Sequence, residues 1–173
     1  DFVWIKQRNA AVEHFIFDSV RGPGKSLSSD LTSGNYTASN LLSSFNLDGF
    51  TLESSNFVNG TTSAPRNYVA WFWKAGGSKN TFNVDNVGYA SAAAAGLTGG
   101  DITPSGASVG TKQGFSIIQY TGSGSGTPSV PHGLSEQPAL VITKDTTTTT
   151  AWRMFMFDGV TWKIGNLNNT DGF

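Results

Sequence analysis

Two histidines, a scatter of aspartates and five tryptophans are the side chains from which this sequence would have to build any chemistry. His14 lies in HFIFD (14–18) and His132 in PHGL (131–134), and no cluster at metal-ligand spacing joins them, so no metal site is expected. His132 is read as a loop-fixing residue that hydrogen-bonds a neighbouring backbone group before the run ALVITK, and His14 is likewise read as structural. Paired carboxylates are the equipment of a glycosidase. Asp18, Asp48, Asp158 and Asp171, however, stand at strand ends or in Asp-Gly turns, where a carboxylate that accepts from its own backbone is a sufficient explanation. These aspartates and the nearby asparagines offer loop oxygens to Ca²⁺, yet nothing resembles the dense D-x-D-x-D-G loop of a strong site. The expectation is therefore no catalytic residue, no metal and no cofactor.

Tryptophan carries the remaining functional reading. An indole stacks on a sugar ring while amides and hydroxyls bond the OH groups, and these tryptophans are set among Asn, Ser and Thr. Trp4, Trp71 and Trp73 fall at alternating positions of apolar runs and are expected in the core. Trp152, directly after the threonines 146–150, and Trp162, beside the Asp158-Gly159 turn, are expected to be exposed and are the candidate glycan-stacking residues. TGSGSGTP (121–128) has neither the Lys-Ser/Thr pair nor the following helix of a phosphate loop and is read as a flexible loop. The sequons at Asn35, Asn59 and Asn168 would accept N-glycans only in a eukaryotic secretory setting.

The elements that must position these residues are strands. Gly, Ser, Thr and Asn make up about two-fifths of the chain and aromatics 12%, a mixture of turn formers and strand formers. FVWIKQR, HFIFDSV, YVAWFWK (68–74), GFSIIQY (114–120), ALVITK (139–144), WRMFMF (152–157) and VTWKIG (160–165) each have strand length and composition. YVAWFWK is apolar on both faces, which predicts a central strand covered on both sides. Asp48-Gly49 and Asp158-Gly159 predict tight hairpins with type I′ turns. The five threonines 146–150 read as an exposed hairpin loop or sheet edge, and GYASAAAAGLTGG (88–100) as irregular with a short helix. The fold expected is all-β: antiparallel β-sandwich or jelly-roll-like modules with long Gly/Ser/Thr/Asn-rich loops. With no cysteine, stability must come from sheet packing or oligomerisation. A net charge of -1 with 13% charged residues offers no footprint for nucleic acid or an anionic membrane, and no apolar run is long enough to span one.

One pattern occurs twice. FVWIKQR…HFIFD near the start is matched by LVITKD…RMFMFD near the end, so that Lys6 aligns with Lys144, Asp18 with Asp158, and Phe50 of NLDGF with Phe173 of NNTDGF. A repeat of this length is a duplicated domain rather than a solenoid unit. The expected organisation is the C-terminal part of a first β unit at 1–76, an irregular connector at 77–113 and the N-terminal part of a second, related unit at 114–173, the whole a piece of something longer.

DFVWIKQR, FDSVRG, SFNLDGFTL, NYVAWFWKAGG, TKQGFSIIQYTGSGSG and VPHGLSEQPALVITK together resemble a tandem-repeated β-rich domain of unknown function found in tail-fibre and other virion-associated proteins of tailed, often marine, bacteriophages. The resemblance covers nearly the whole chain and brings no catalytic residues with it. What it implies is a non-enzymatic structural or adhesive module of a virion appendage, extracellular, with other virion subunits as partners. It also implies a homo-oligomer, a trimer being favoured, and a host-surface glycan as a further candidate partner. The competing expectation is a carbohydrate-binding or carbohydrate-cleaving module of a secreted bacterial protein.

Overall fold

Short runs of branched and aromatic residues, punctuated by Gly, Asn and Asp, leave little room for helix. The computed structural model describes residues 1–60 and 65–169. Among these the chain is all-β, with no helix, and hence none long and apolar enough to cross a membrane. The strands are β1 (Phe2–Gln7), β2 (Phe15–Asp18), β3 (Lys25–Ser28), β4 (Tyr36–Thr37), β5 (Leu42–Asn46), β6 (Gly49–Leu52) and β7 (Tyr68–Trp73). They continue with β8 (Phe82–Val84), β9 (Val87–Tyr89), β10 (Gly106–Gly110), β11 (Phe115–Gln119), β12 (Leu140–Thr143), β13 (Arg153–Phe157) and β14 (Trp162–Asn166). All seven strands read from the sequence are present. The chain divides into two compact units, the first made of residues 1–2, 18–22 and 72–137 and the second of 3–17, 23–71 and 138–173.

The second unit is built on the sheet β4-β3-β2-β1-β7, a two-stranded ribbon β5-β6 and a three-stranded sheet β12-β13-β14. Period-two alternation in β1 buries Val3, Ile5 and Gln7 and turns Trp4 and Lys6 to the opposite face. Val3, Ile5, Phe15 and Phe17 form a core with Leu41, Leu42 and Val58, over which Phe45, Phe50 and Leu52 of the ribbon and Tyr68 and Ala70 of β7 pack. This is sheet on sheet, the sandwich arrangement. Ribbon register pairs Asn46 with Gly49, so the two loop residues are Leu47 and Asp48, and neither has positive φ. A hairpin does form where Asp48-Gly49 predicts one, but it is not type I′, and Gly49 is the first strand residue.

β7 lies at the sheet edge, not at its centre. Tyr68 and Ala70 cover the core while Trp71, Phe72 and Trp73 are exposed, which corrects the expectation of a strand covered on both sides. The alternation was legible. Which neighbour lay beyond each face was not, because a doubly apolar strand is compatible with either an interior position or an edge that meets another surface.

The first unit holds the sheet β11-β10-β8-β9. Its core is Phe82, Ala92, Leu97, Ala107 and Val109. Residues 77–113, expected as an irregular connector with a short helix, therefore contain β8, β9 and β10, and 91–96 is a turn without a helix. The units are consequently divided otherwise than at 76 and 114. β8 and β9 are only three residues each and escape a strand-length filter. They are joined by Asp85-Asn86 with φ of 48° and 67°, the positive pair that a two-residue type I′ loop requires. β8 pairs with β10 in parallel, a long-range match that no local pattern announces. Buried Ser108 is satisfied in this unit, accepting from Gly76 N–H at 2.9 Å and donating to the Gly77 carbonyl at 2.8 Å.

The repeated pattern has matching local geometry. β1 and β2 are sheet neighbours, and Ser19 N–H donates to the Asp1 carbonyl, which sets the start of β1 beside the end of β2 and makes the pair antiparallel, as β12 and β13 are. Lys6 Nζ donates to the Val12 carbonyl at 2.6 Å across the loop that follows β1, and Lys144 Nζ to the Asp145 carbonyl at 2.6 Å in the loop that follows β12. Asp18 Oδ1 accepts from the N–H groups of Val20 and Arg21 at 3.0 and 2.8 Å, and Asp158 Oδ1 from those of Val160 and Thr161 at 2.9 and 2.8 Å. The third correspondence, Phe50 with Phe173, falls outside the described residues.

Candidate binding cleft

Four of the turn residues singled out from the sequence stay within their turns. Asp158 and Gly159 open a four-residue loop between paired Phe157 and Trp162, with Gly159 at φ 95°, in place of the two-residue type I′ turn expected there. Asp48 lies in the ribbon turn, whereas Gly49 is the first residue of β6. His132 Nδ1 accepts the Leu134 N–H at 3.0 Å. Asp145, which attracted no attention in the sequence, accepts from the backbone and hydroxyls of Thr147 and Thr148 and so organises the exposed threonine loop.

Of the two glycan-stacking candidates, Trp162 is 40% exposed with its ring 5.4 Å from Phe157. Trp152 is only 6% exposed, so its faces cannot meet a sugar, and the expectation of an exposed Trp152 is corrected. Its indole N–H donates to the Ser28 carbonyl at 2.9 Å, which is why the ring lies down against the end of β3. Trp71 and Trp73, expected in the core, are exposed, and Trp4 is half-buried.

Burial of Trp152 gathers other groups. Its backbone N–H donates to Asn168 Oδ1 at 2.8 Å and its carbonyl accepts from Leu167 N–H at 3.2 Å, holding residues 167–169 beside the β3 terminus. On the adjoining side, Lys6 draws in the loop that ends at His14. There the His14 N–H donates to Asp30 Oδ1 at 2.9 Å, and the His14 carbonyl accepts the Ser29 N–H at 3.0 Å. Between these clamps lies a cleft of about 390 Å³ lined by Trp4, His14, Ser29, Asp30 and residues 167–169. A neighbouring depression of about 380 Å³, lined in part by Lys6 and Glu13, shares His14 and Asp30 with it. All these residues belong to the second unit.

The cleft presents unused hydrogen-bonding capacity. Among the described residues the imidazole of His14, Oδ2 of Asp30, Nδ2 of Asn168 and the carboxylate of Glu13 have no partner, and the Trp4 indole N–H is buried without one. Sequence reading placed Trp4 in the core and His14 in a structural role, singled out Asn168 only as a sequon, and assigned nothing to Asp30. No local signal joins these residues, since they come from β1, two loops and the segment after β14. No group of three or more His, Asp or Glu suited to a metal ion occurs among the described residues.

The family model of a domain of unknown function, DUF7483, matches residues 1–172. The chain belongs to that family. No curated protein and no solved structure matches it. The cleft of this DUF7483 domain therefore has to be read from its own chemistry.

Four loop carboxylates give the domain an acid limit. Asp85 is held below the usual carboxylate range by the Thr111 hydroxyl and then the Thr111 N–H, and Asp101 by the N–H and then the hydroxyl of Ser129. Asp145 is held low by the Thr148 hydroxyl and then the Thr147 N–H, and Asp158 by the N–H groups of Thr161 and Val160. Each donor favours the ionised form in the folded state, so the stabilisation is present above the unfolded carboxylate pKa of about 4 and is lost as pH falls through the lower folded values. Melting temperature is expected to hold between about pH 7 and 5 and to fall below about pH 4. Circular dichroism melts across that range check it, and replacing the four aspartates by asparagine should flatten the acid limb.

Proposed function

We propose that the chain is a non-enzymatic structural and adhesive module of a bacteriophage virion appendage, a tail fibre or similar, working outside the cell in a homo-oligomer beside other virion subunits. The observation that carries this reading is the sheet β12-β13-β14, which has apolar side chains in the open on both faces. Directly opposed residues share a face. Leu140 and Ile142, at 49% and 43% exposure, stand opposite Met156 and Met154 on one side. Ile164 and Trp162, at 58% and 40%, stand opposite Phe155 and Phe157 on the other. Such a sheet calls for neighbours, as repeated subunits of an appendage provide, and three-fold closure is the favoured symmetry. The sequence resemblance to virion-associated domains supports the same reading.

Mass spectrometry of gradient-purified virions, with immunogold labelling, tests it. Peptides of this chain on particle appendages are expected; recovery only from a soluble secreted fraction would overturn the reading. The rival, a carbohydrate-binding module of a secreted bacterial protein, is favoured by one observation, the cleft on Trp4.

A further inference from the structure

We propose that the cleft on Trp4 is a saccharide-binding site, in which the indole meets the C–H face of a neutral sugar ring and the side chains of Asp30, Asn168 and His14 bond its hydroxyls. This deepens the adhesive half of the function proposed above and rests on that reading only for the source of the sugar.

The groups match the ligand in number and polarity. A sugar hydroxyl both donates and accepts, so a site for it needs acceptors and donors side by side next to an apolar surface. Asp30 Oδ2 is an acceptor left over after Oδ1 has taken the His14 N–H, and Asn168 Nδ2 is a donor left over after Oδ1 has taken the Trp152 N–H. Both side chains are thus held by one bond and free at the other end, which fixes their direction before any ligand arrives. The His14 ring supplies a nitrogen of either sense. Trp4, packed 5.8 Å from Trp71, supplies the aromatic wall. A volume of about 390 Å³ is at the small end of ligand sites and suits a single sugar unit with its chain extending into the open.

Other ligand classes fit less well. An anion would meet the carboxylates of Asp30 and, in the adjoining depression, Glu13. A cation would want three or more converging carboxylate or imidazole ligands, and the described residues gather no such group. A wholly apolar ligand would strand His14, Asp30 and Asn168 without partners.

The test is saturation-transfer NMR on the intact chain with methyl α-glucopyranoside, methyl α-mannopyranoside, N-acetylglucosamine and maltotriose, each at about 10 mM, where single-sugar affinities near 1 mM are detectable. At least one probe should take up saturation, most strongly at ring C–H protons, and should perturb tryptophan fluorescence. Asn168→Asp removes the donor and keeps the acceptor for Trp152; Asp30→Asn keeps an acceptor for His14. Each is expected to weaken binding about tenfold, the worth of one hydrogen bond, with the melting temperature retained. Trp162→Ala should leave binding unchanged. The proposal is overturned if no probe takes up saturation, if binding survives both cleft variants, or if Trp162→Ala abolishes it. Failure to find the chain on virions would leave this site standing, and absence of sugar binding would leave the assembly reading standing.

Discussion

Phe17→Ala should lower the unfolding free energy by about 3 to 5 kcal/mol, a large fraction of what a domain of this size possesses. Phe17 is fully buried in the core of the second unit, stacked 6.4 Å from Phe15 and roofed by the β5-β6 ribbon. Truncation removes the transfer free energy of the ring and leaves a cavity that a sheet-on-sheet core closes poorly, because both layers are held by their own backbone ladders. Phe157 holds the corresponding place in the repeated pattern, next to the aspartate, but it is only partly buried and packs on Trp162. Phe157→Ala should cost about 1 kcal/mol. Urea unfolding of the two variants measures the contrast. Equal costs would mean that the β12-β13-β14 sheet is covered in solution, as assembly of copies would bring about, and repeating the measurement at several protein concentrations separates that case from a monomer.

Asp18→Ala is expected to cost about 3 kcal/mol, whereas Asp158→Ala, in the same kind of turn but open to solvent, should cost far less. Both carboxylates accept two turn N–H groups. The difference lies in the partner and its burial. Asp18 also binds Arg21 Nε at 2.5 Å with both side chains only 8% exposed, while Asp158 meets Lys163 Nζ at 3.4 Å with both largely in solvent. In the first pair a desolvated carboxylate is removed from a desolvated guanidinium; in the second, water takes the carboxylate's place. Asp18→Asn, which retains a turn acceptor and deletes only the charge, should fall between the two. Thermal or urea denaturation of the three variants reads this directly, and equal losses at positions 18 and 158 would show that the turn bonds alone carry the effect.

Much of the architecture was written locally. Alternation in FVWIKQR sorted its residues onto two faces, although Trp4, expected in the core, lies on the face opposite the buried Val3, Ile5 and Gln7. Aspartates at strand ends declared their turns, because a short carboxylate can reach the N–H groups two and three residues on wherever it sits in the chain. The all-β class followed from the poverty of helix formers and the spacing of turn residues. The three-residue strands β8 and β9 were hidden because their pairing with each other and with β10, rather than their own composition, makes them strands.

Exposure was the quantity the sequence could not supply. Trp152 and Trp162 both follow turn-rich segments and looked alike, yet one is sealed by a bond to the Ser28 carbonyl, 124 residues away, and the other is open. The same long-range bond brings Asn168 toward His14, Asp30 and Trp4, so the cleft exists only once residues 167–169, after β14, have been brought to Trp4, Ser29 and Asp30. Local chemistry determined strands, turns and which residues of a strand share a face, since those depend on neighbours two to four residues away. Tertiary structure alone decided which faces were covered and which polar groups were left unpaired, because burial and hydrogen-bond satisfaction depend on segments that meet across the fold.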